Sequence, residues 1–292
     1  MTSRKRCKMK IACVGLVGES VFMEVPSFHV GEETISANSM FDEPGGKGFN
    51  QAVAAARAGA SVSFLGAIGS DHYRANIEEF CRREHIDCVL PQKKGRTAYA
   101  VIQTNQDGRN HVTVYRGADL EVTDVERFSS KIAEAAILLL NNEVPNEINI
   151  ACAEIAARNK TKIIMNPAPR RSIPDAVKKK VFLFTPNEYE ADGLEDCENC
   201  IITMGQNGCI IRAANQHIPA KSVIPVDTTG AGDTFTGVLA VMLSEEASLQ
   251  DAATIAIRAA AIAVTRRGAA SAIPYRSEYI QEMHFIQHDD RR

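Results

Sequence analysis

Three absences restrict the functions open to this chain of 292 residues. No stretch of about 18 consecutive apolar residues is present, so we expect no transmembrane helix. Neither sign of charge dominates, because 33 basic and 36 acidic residues leave a net charge of −3. Such a balance provides no bulk attraction to nucleic acids or anionic membranes. We therefore expect neither a nucleic-acid partner nor a membrane partner.

Metal and redox motifs are also sparse. The seven histidines form no H-E-x-x-H or similar pattern. Cys197 and Cys200 have C-x-x-C spacing, but a zinc site normally needs a second pair of ligands, and none lies at the expected spacing. A redox motif of this kind would normally open a helix after a strand. The eight cysteines are widely scattered, which favours reduced thiols and a cytoplasmic location.

The chain does have the composition of a globular protein, and strand and helix patterns alternate along it. Alternation over this length is typical of an α/β fold, with a mostly parallel central sheet and helices on both faces. We interpret residues 9–285 as one domain, with disordered tails at 1–8 and 286–292. The predicted strands are 10–18, 61–69, 136–141, 162–166, 181–188, 200–205 and 208–214, and the predicted helices are 46–60, 71–85 (with Asp71 as its N-cap), 123–135, 146–159, 173–180, 230–245 and 248–265.

Two segments interrupt this alternation. Residues 96–118 contain two alternating strands around the turn sequence NQDGR. Residues 29–43 lack helical periodicity and are available to pair with these strands. Together the two segments predict a small antiparallel sheet outside the main layer, which would serve as a β lid or a dimer surface.

The sequence PVDTTGAGDTFTG (225–237) places small residues directly before Asp233 and an apolar helix. Amides at the start of a helix bind anions, and glycines allow close approach of a ligand. Gly230, Ala231 and Gly232 therefore form a candidate anion hole. Asp233 would lie in the first turn, where a carboxylate is able to take a proton from an attacking hydroxyl. An ordinary helix with an acidic first turn explains the same pattern.

The segment PGGKGFNQ (44–51) also opens a helix. It lacks the spacing of a Walker A loop and the following Ser or Thr, and it does not match G-x-G-x-x-G. Lys47 and Asn50 offer hydrogen-bond donors suited to a ligand rich in hydroxyl groups. A glycine hinge between the lid and the core is the alternative interpretation.

Two further segments end predicted strands. In TPNEYE (185–190), Asn187, Glu188 and Glu190 provide the oxygen ligands that Mg²⁺ prefers, directly or through water. The alternative is a helix start with acidic residues in its first turn. The segment TMGQNG (203–208) would approach a nucleotide with its backbone, or form a plain turn between strands.

The order and spacing of these segments resemble those of the ribokinase family of carbohydrate kinases, the phosphofructokinase-B-like sugar kinases. The resemblance extends from Lys10 to Pro274 and includes NPAPR (166–170) and AAAIAVTRRGAASAIP (259–274). It implies a ribokinase-like three-layer α/β/α sandwich with a β lid. It also implies an ATP-dependent phosphotransferase that phosphorylates a primary hydroxyl of ribose or a related sugar, uses Mg²⁺ and K⁺, and forms a homodimer through the lid.

The resemblance also implies a role for each matching residue. Asp233 corresponds to the catalytic base and residues 230–232 to the anion hole. The implied sugar contacts are Gly46, Lys47, Asn50, Glu143 and Asp233. The implied ATP contacts are Asn187, Thr203, Gly205, Gly208 and Gly232. The implied Mg²⁺ site consists of Asn187 and Glu190, and the implied K⁺ site consists of Asp227, Thr229, Arg266 and Gly268.

The chain departs from the family pattern at three places. Gly18 and Ser20 replace an Asn-x-Asp pair that holds sugar hydroxyls, and Glu19 between them should point to the other side of the strand. The connection at 193–199 is shorter than a helical crossover, and Ala272 replaces a serine near the K⁺ site.

Three alternatives to a ribose kinase therefore stay open. They are a kinase for a nucleoside, a ketose or a deoxy sugar; a non-catalytic sugar- or nucleotide-sensing protein; and a dinucleotide-dependent oxidoreductase, which the missing G-x-G-x-x-G disfavours.

Overall fold

The computed structural model describes residues 9–107 and 109–280, so the predicted tails lie outside the described residues. Two short 3-10 turns, 205–207 and 212–214, lie between the last strands. In chain order the elements are β1 (Lys10–Val14), β2 (Gly18–Glu24), β3 (Ser39–Gly45), α1 (Lys47–Arg57), β4 (Ser61–Leu65), α2 (Arg74–Arg83), β5 (Ile86–Val89), β6 (Ala98–Thr104), β7 (Asn110–Tyr115), α3 (Val122–Arg127), α4 (Ser129–Glu134), β8 (Ile137–Asn141), α5 (Asn146–Asn159), β9 (Lys162–Asn166), α6 (Asp175–Lys178), β10 (Val181–Phe184), β11 (Ile201–Thr203), β12 (Cys209–Ile211), β13 (Gln216–Ile218), α7 (Ala231–Ser244), α8 (Leu249–Ala263) and α9 (Arg276–Ile280).

The central sheet has the strand order β10-β9-β8-β1-β4-β5, and every neighbouring pair in it is parallel. One core lies between the sheet and α1, α2, α7 and α8, with Phe49 and Val238 among its buried residues. The other lies on the opposite face against α3 to α6, and contains Phe128 and Ile148. This arrangement confirms the three-layer α/β/α sandwich. It also brings the carboxyl ends of the parallel strands to one edge, where ligands bind in such folds.

The second sheet has the order β3-β2-β6-β7. The hairpin β6–β7 is antiparallel, as predicted, and β2–β3 is antiparallel as well, while β2 and β6 are parallel. Of the segment 29–43, residues 39–43 lie in β3, and this strand pairs with β2 rather than with the hairpin. The segment 10–18, predicted as one strand, divides here, because β1 ends at Val14 and Gly18 already begins β2 in the second sheet. Phe22 of β2 stacks on Phe41 of β3 at 4.8 Å between ring centroids. This pair packs against Ala269 of the three-layer sandwich, which we call the core domain to distinguish it from the second sheet.

The strands predicted at 200–205 and 208–214 form a separate antiparallel sheet with β13, the third sheet. The 193–199 connection consists of turns. It brings Cys200 beside Phe184. Two isolated parallel bridges, Phe184–Cys200 and Asn187–Thr203, then join the edge of the central sheet to the start and end of β11 in the third sheet.

Two of the predicted helices differ from the helices in the structure. Asp71 does not cap α2, which begins at Arg74; its carboxylate instead accepts the backbone amide of Thr97 at 2.8 Å. The segment 123–135, predicted as one helix, breaks at Phe128 into α3 and α4. The Phe128 ring is fully buried at this break, so tertiary packing overrides the local helical preference.

A buried ion pair ties the end of α1 to the end of α2. The Arg57 guanidinium donates from Nε to Glu84 Oε2 at 3.0 Å and from Nη2 to Oε1 at 2.8 Å. The two side chains are only 6% and 3% exposed. Removing one partner would leave the other charge buried and unpaired, which is strongly destabilising.

We predict that Glu84→Gln lowers the free energy of unfolding by about 3 kcal/mol. The matched control is Glu79→Gln, which breaks the exposed Arg82–Glu79 pair of the same helix. This substitution should change the free energy of unfolding by less than about 0.5 kcal/mol. Urea unfolding of both variants measures the difference, and equal effects would contradict the prediction.

Candidate active site

The helices α1 and α7 begin side by side at the carboxyl edge of the central sheet. Gly46 precedes α1 with a φ of 114°, and a Cβ on it would lie 2.4 Å from the carbonyl oxygen of Leu16. Only glycine accepts this left-handed and crowded position. The first turn of α1 then carries Lys47, Asn50 and Gln51 towards the first turn of α7.

Asp233 is buried in the first turn of α7. Asn50 Nδ2 donates to its Oδ2 at 3.1 Å, and Gln51 Nε2 donates to its Oδ1 at 3.0 Å. Burial raises the pKa of the Asp233 carboxyl, and this effect outweighs the opposing influence of the Lys47 charge and the two amides. The result is a fixed carboxylate with more affinity for a proton than an exposed aspartate has.

The two amides that hold Asp233 have unused acceptors. Asn50 Oδ1 and Gln51 Oε1 are buried and have no hydrogen-bond partner among the described residues. Unpartnered buried acceptors of this kind are unfavourable unless a ligand or water completes them. They point to a ligand that carries hydroxyl or amine donors.

Lys47 and Glu143 form the second half of the site. The Lys47 amide donates to Glu143 Oε2 at 2.7 Å, and the Glu143 amide donates to Asn141 Oδ1 at 2.9 Å. Burial raises the pKa of Glu143 to about 7. Burial acts to lower the pKa of Lys47, but the charges of Asp233, Glu143 and Glu190 outweigh it, so the net shift is upward. These charges therefore lie close enough to interact.

The start of α7 is open to a ligand. Gly230 is its N-cap with a φ of 76°, and no side chain caps this helix start within the part of the chain that is described. The Ala231 amide makes a long bond of 3.4 Å to Thr228 O, and a Cβ on Gly232 would meet no atom within 4 Å apart from its neighbours and the helix's own backbone. The first amides of a helix have no partner inside it, so this end presents N–H groups beside the Asp233 carboxylate.

The predicted magnesium and nucleotide residues lie on the adjoining strand ends. The amide of Asn187 donates to Glu190 Oε2 at 3.0 Å, and the amide of Glu190 donates to Asn187 Oδ1 at 2.8 Å. The two bonds are reciprocal, as in a capping box, but residues 188–193 form turns, so the helix start of the alternative interpretation is absent from this segment. Thr203 is anchored through its hydroxyl to Pro186 O at 3.3 Å, and Gly205 and Gly208 flank the turn into β12.

The predicted K⁺ residues cluster around a buried Asp227 carboxylate. It accepts the Thr229 amide at 2.9 Å and the Gly268 amide at 3.2 Å. Asn110 of β7 donates to the Thr229 hydroxyl at 2.6 Å, so the second sheet contacts this cluster. The Arg266 side chain points away and pairs with Glu278.

Strand β2 shows what replaces the usual Asn-x-Asp pair. Ser20 is buried, and its hydroxyl fills the space that a side chain on Gly45 would occupy. Glu19 points to the other side of the strand, as the sequence predicted, and accepts Asn76 Nδ2 at 3.2 Å. Burial and a hydrogen bond with Asp42 raise the pKa of Glu19 to about 7. The two positions of the usual pair, Gly18 and Ser20, therefore carry no carboxylate.

One functional residue was missed from the sequence. Gln51 is fully buried and contacts both Asp233 and, at 3.4 Å, Asn166 Oδ1. The sequence feature that indicated it is the pair of consecutive amide side chains, Asn50 and Gln51, after the Gly-Gly-Lys-Gly stretch. In a helix such neighbours point about 100° apart, so only the packing of α7 shows that both reach one carboxylate.

The comparisons with known proteins agree with this geometry. Residues 8–276 match the family described as pfkB family carbohydrate kinase. The ribokinase of Haemophilus influenzae is 32% identical over an alignment that covers 95% of this chain and 98% of the relative. The crystal structure of Thermotoga maritima ribokinase superposes with a TM-score of 0.83 at 31% identity, covering 94% of this chain and 99% of that one. The Arabidopsis thaliana ribokinase complexed with ribose and ATP gives 0.79 at 26% identity, covering 94% and 98%.

The fold and the site thus define an ATP-dependent carbohydrate kinase. More particularly, the chain belongs to the pfkB family of carbohydrate kinases and has the ribokinase-like fold. None of the helices in the described part of the chain is long and apolar enough to span a bilayer.

The raised pKa of Glu19 generates a prediction about stability. In the unfolded chain Glu19 ionises near its ordinary pKa of 4.5, whereas in the folded chain it ionises at about 7. The folded state is therefore favoured at low pH, and this contribution is lost as the pH rises through 7. Glu19→Gln should be more stable than the original protein above pH 7, by on the order of 1 kcal/mol, because glutamine carries no charge in this buried position.

The gain should shrink as the pH falls and vanish well below pH 4.5, where Glu19 is protonated in both states. Thermal unfolding midpoints at pH 5, 7 and 9 measure it. Glu154→Gln, at an exposed position of α5, is the control and should show no such trend. A pH-independent difference between Glu19→Gln and the original protein would refute the assignment.

Proposed function

We propose that this protein transfers the γ-phosphoryl group of ATP to a primary hydroxyl of ribose or a related sugar. The observation that carries the proposal is the Asp233 carboxylate, buried at an uncapped helix start and held by two amides. A carboxylate of raised pKa beside free amide groups provides both a base and an anion site. The relatives named as ribokinases, one of them complexed with ribose and ATP, support the sugar and the nucleotide.

In this proposal Asp233 accepts the proton of the acceptor hydroxyl as its oxygen attacks the phosphoryl group. The amides of residues 230–232 stabilise the negative charge on the transferring group. Gly46, Lys47, Asn50 and Glu143 orient the sugar, and the unpartnered Asn50 Oδ1 accepts one of its hydroxyls. Thr203, Gly205, Gly208 and Asn187 contact the nucleotide.

The residues proposed for Mg²⁺ fit a water-mediated site. One oxygen of each of Asn187 and Glu190 already accepts a backbone amide, which leaves the second Glu190 oxygen for water ligands. Mg²⁺ usually keeps several waters and would neutralise phosphate charge there.

The Asp227 cluster with the carbonyls of Thr229, Arg266 and Gly268 is the proposed K⁺ site. We further propose a cytoplasmic homodimer that associates through the second sheet, whose β7 exposes Val112, Val114 and Tyr115.

The acceptor is the open part of the proposal. Because Gly18 and Ser20 supply no carboxylate, the site lacks one strong acceptor for a pair of sugar hydroxyls, and a site built for a hydroxyl discriminates strongly against analogues. A nucleoside, a ketose or a deoxy sugar is the alternative acceptor. A sensing protein would have little use for a buried base beside an anion site, so the Asp233 geometry disfavours that alternative.

We expect ADP release with ribose or a related sugar when pentoses, hexoses, ketoses and nucleosides are compared with and without K⁺. ADP release without any acceptor is the background control. A clear preference for nucleosides would replace ribose by that acceptor, and no activity on the whole panel would favour the sensing protein.

Asp233→Asn should lower kcat by at least about a hundredfold, because general-base catalysis contributes about 10²–10⁴-fold. Binding of the sugar, measured by calorimetry, should change little. The matched control is Asp251→Asn, because Asp251 occupies the same position in the first turn of α8 and should leave kcat unchanged. Near-normal turnover of Asp233→Asn would remove Asp233 from the role of base.

Gln51→Leu tests whether the Gln51 amide stabilises the ionised Asp233 carboxylate. Removing a donor to the ionised carboxylate raises the pKa of Asp233 further, so the acid limb of kcat should move to higher pH by about one unit, the equivalent of about 1.4 kcal/mol. The pH dependence of ADP release measures it. A loss of kcat without movement of the acid limb would show that Gln51 acts only in packing.

A further inference from the structure

Glu43 is a buried carboxylate in the second sheet that has no part in the proposed chemistry. It lies in β3 with an exposure of 6%. Its Oε1 accepts the amide of Ala269 at 2.6 Å, and its Oε2 accepts the amide of Ser271 at 2.9 Å. Each carboxylate oxygen thus has its own backbone donor from a loop of the core domain. Charge-assisted hydrogen bonds of this kind are short and strong.

The loop concerned, residues 268–273, follows α8 and contains no regular element. Three charged side chains hold its backbone. Besides Glu43, Asp227 accepts the Gly268 amide at 3.2 Å. Arg57 Nη1 donates to the carbonyls of Ala270 at 3.0 Å and Ile273 at 2.5 Å. The arginine and Asp227 belong to the core domain, so Glu43 is the member of this set that comes from the second sheet.

Loop 268–273 packs directly against the proposed anion site. A Cβ on Gly230 would lie 3.2 Å from the Cβ of Ala269 and 3.3 Å from its Cα. The residue whose amide Glu43 holds therefore lies directly beside the N-cap of α7, with too little room between them for a side chain on Gly230. A shift of Ala269 would displace Gly230 or open space beside it, and the amides that follow Gly230 would move with it.

Strand β3 also leads straight into the acceptor side of the site. Glu43 lies opposite Ser20 of β2, and three residues later the chain reaches Gly46 and then Lys47 at the start of α1. One strand thus reaches the anion site indirectly, through Glu43 and Ala269, and leads at its end into the proposed sugar-binding residues.

From these contacts we propose that Glu43 is a positioning residue: it fixes loop 268–273 against Gly230 and so sets the amides of α7 relative to the second sheet. The inference rests on the proposed function, since it assigns Glu43 to the phosphoryl side of that same site. Glu43 acts through Ala269 and touches neither substrate.

The test compares Glu43→Gln with a matched control in the same two elements. Glutamine presents an NH₂ group to one of the two amides, which leaves that buried donor unpaired. We expect kcat to fall on the order of tenfold to a hundredfold, as small misplacements of catalytic groups do, with the KM for the sugar within about threefold. The control is Glu24→Gln, which removes the exposed Glu24–Arg267 pair between the second sheet and this region and should leave kcat within about twofold of the original.

Hydrogen exchange provides a readout that needs no turnover. Peptides that cover 268–273 should exchange slowly in the original protein. In Glu43→Gln, exchange should rise in 268–273 and in 229–236, and in Glu24→Gln it should rise in neither. Fast exchange of 268–273 in the original protein would overturn the proposal, even if Glu43→Gln did not fold.

Unchanged kcat in folded Glu43→Gln, or an equal loss in Glu24→Gln, would also overturn it. If the original protein phosphorylated no acceptor, the proposed function would fail, while the exchange of 268–273 and 229–236 would still decide whether Glu43 orders the loop and the start of α7.

Discussion

The whole site depends on keeping one carboxylate charged inside the protein. Asp233 is 5% exposed, and a buried charge is strongly unfavourable unless polar groups compensate it. Here two side-chain amides, the Lys47 charge and the open end of α7 do so. That compensation requires α1 and α7 to approach closely. Gly237, one turn after Asp233, allows it, because a Cβ there would lie 2.6 Å from the Cβ of Ala54 and from Gln51 O.

This constraint explains the composition of α1. Three of its four alanines, Ala52, Ala54 and Ala55, are buried, so the backbone of α7 comes near enough for short amide side chains to span the gap. Longer apolar residues at Ala54 or Ala55 would separate the helices and withdraw Asn50 and Gln51 from the carboxylate. The alanine-rich stretch therefore serves the site as well as the core.

Much of this arrangement was predictable because it follows from local pattern. The parallel sheet, the starts of α1 and α7 and the lone carboxylate beside small residues all have a physical signature in sequence. The predictions that were wrong concern features that depend on contacts between distant segments. The break between β1 and β2, the separate third sheet and the role of Asp71 towards Thr97 have no local signal. Gln51 and Glu43 were missed for the same reason, since their partners lie about 180 and 226 positions away.

The two interpretations of PGGKGFNQ are compatible rather than exclusive. β3 of the second sheet ends at Gly45, and α1 of the core begins at Lys47. The only residue between them, Gly46, has a φ that favours glycine, so the junction is a backbone corner between the two parts of the molecule. The same corner places the Lys47 amide nitrogen 2.7 Å from Glu143 Oε2, to which it donates a hydrogen bond. Any displacement of the second sheet about this corner would act on the lysine and the glutamate at once, which makes the joint between sheet and core a part of the proposed acceptor site.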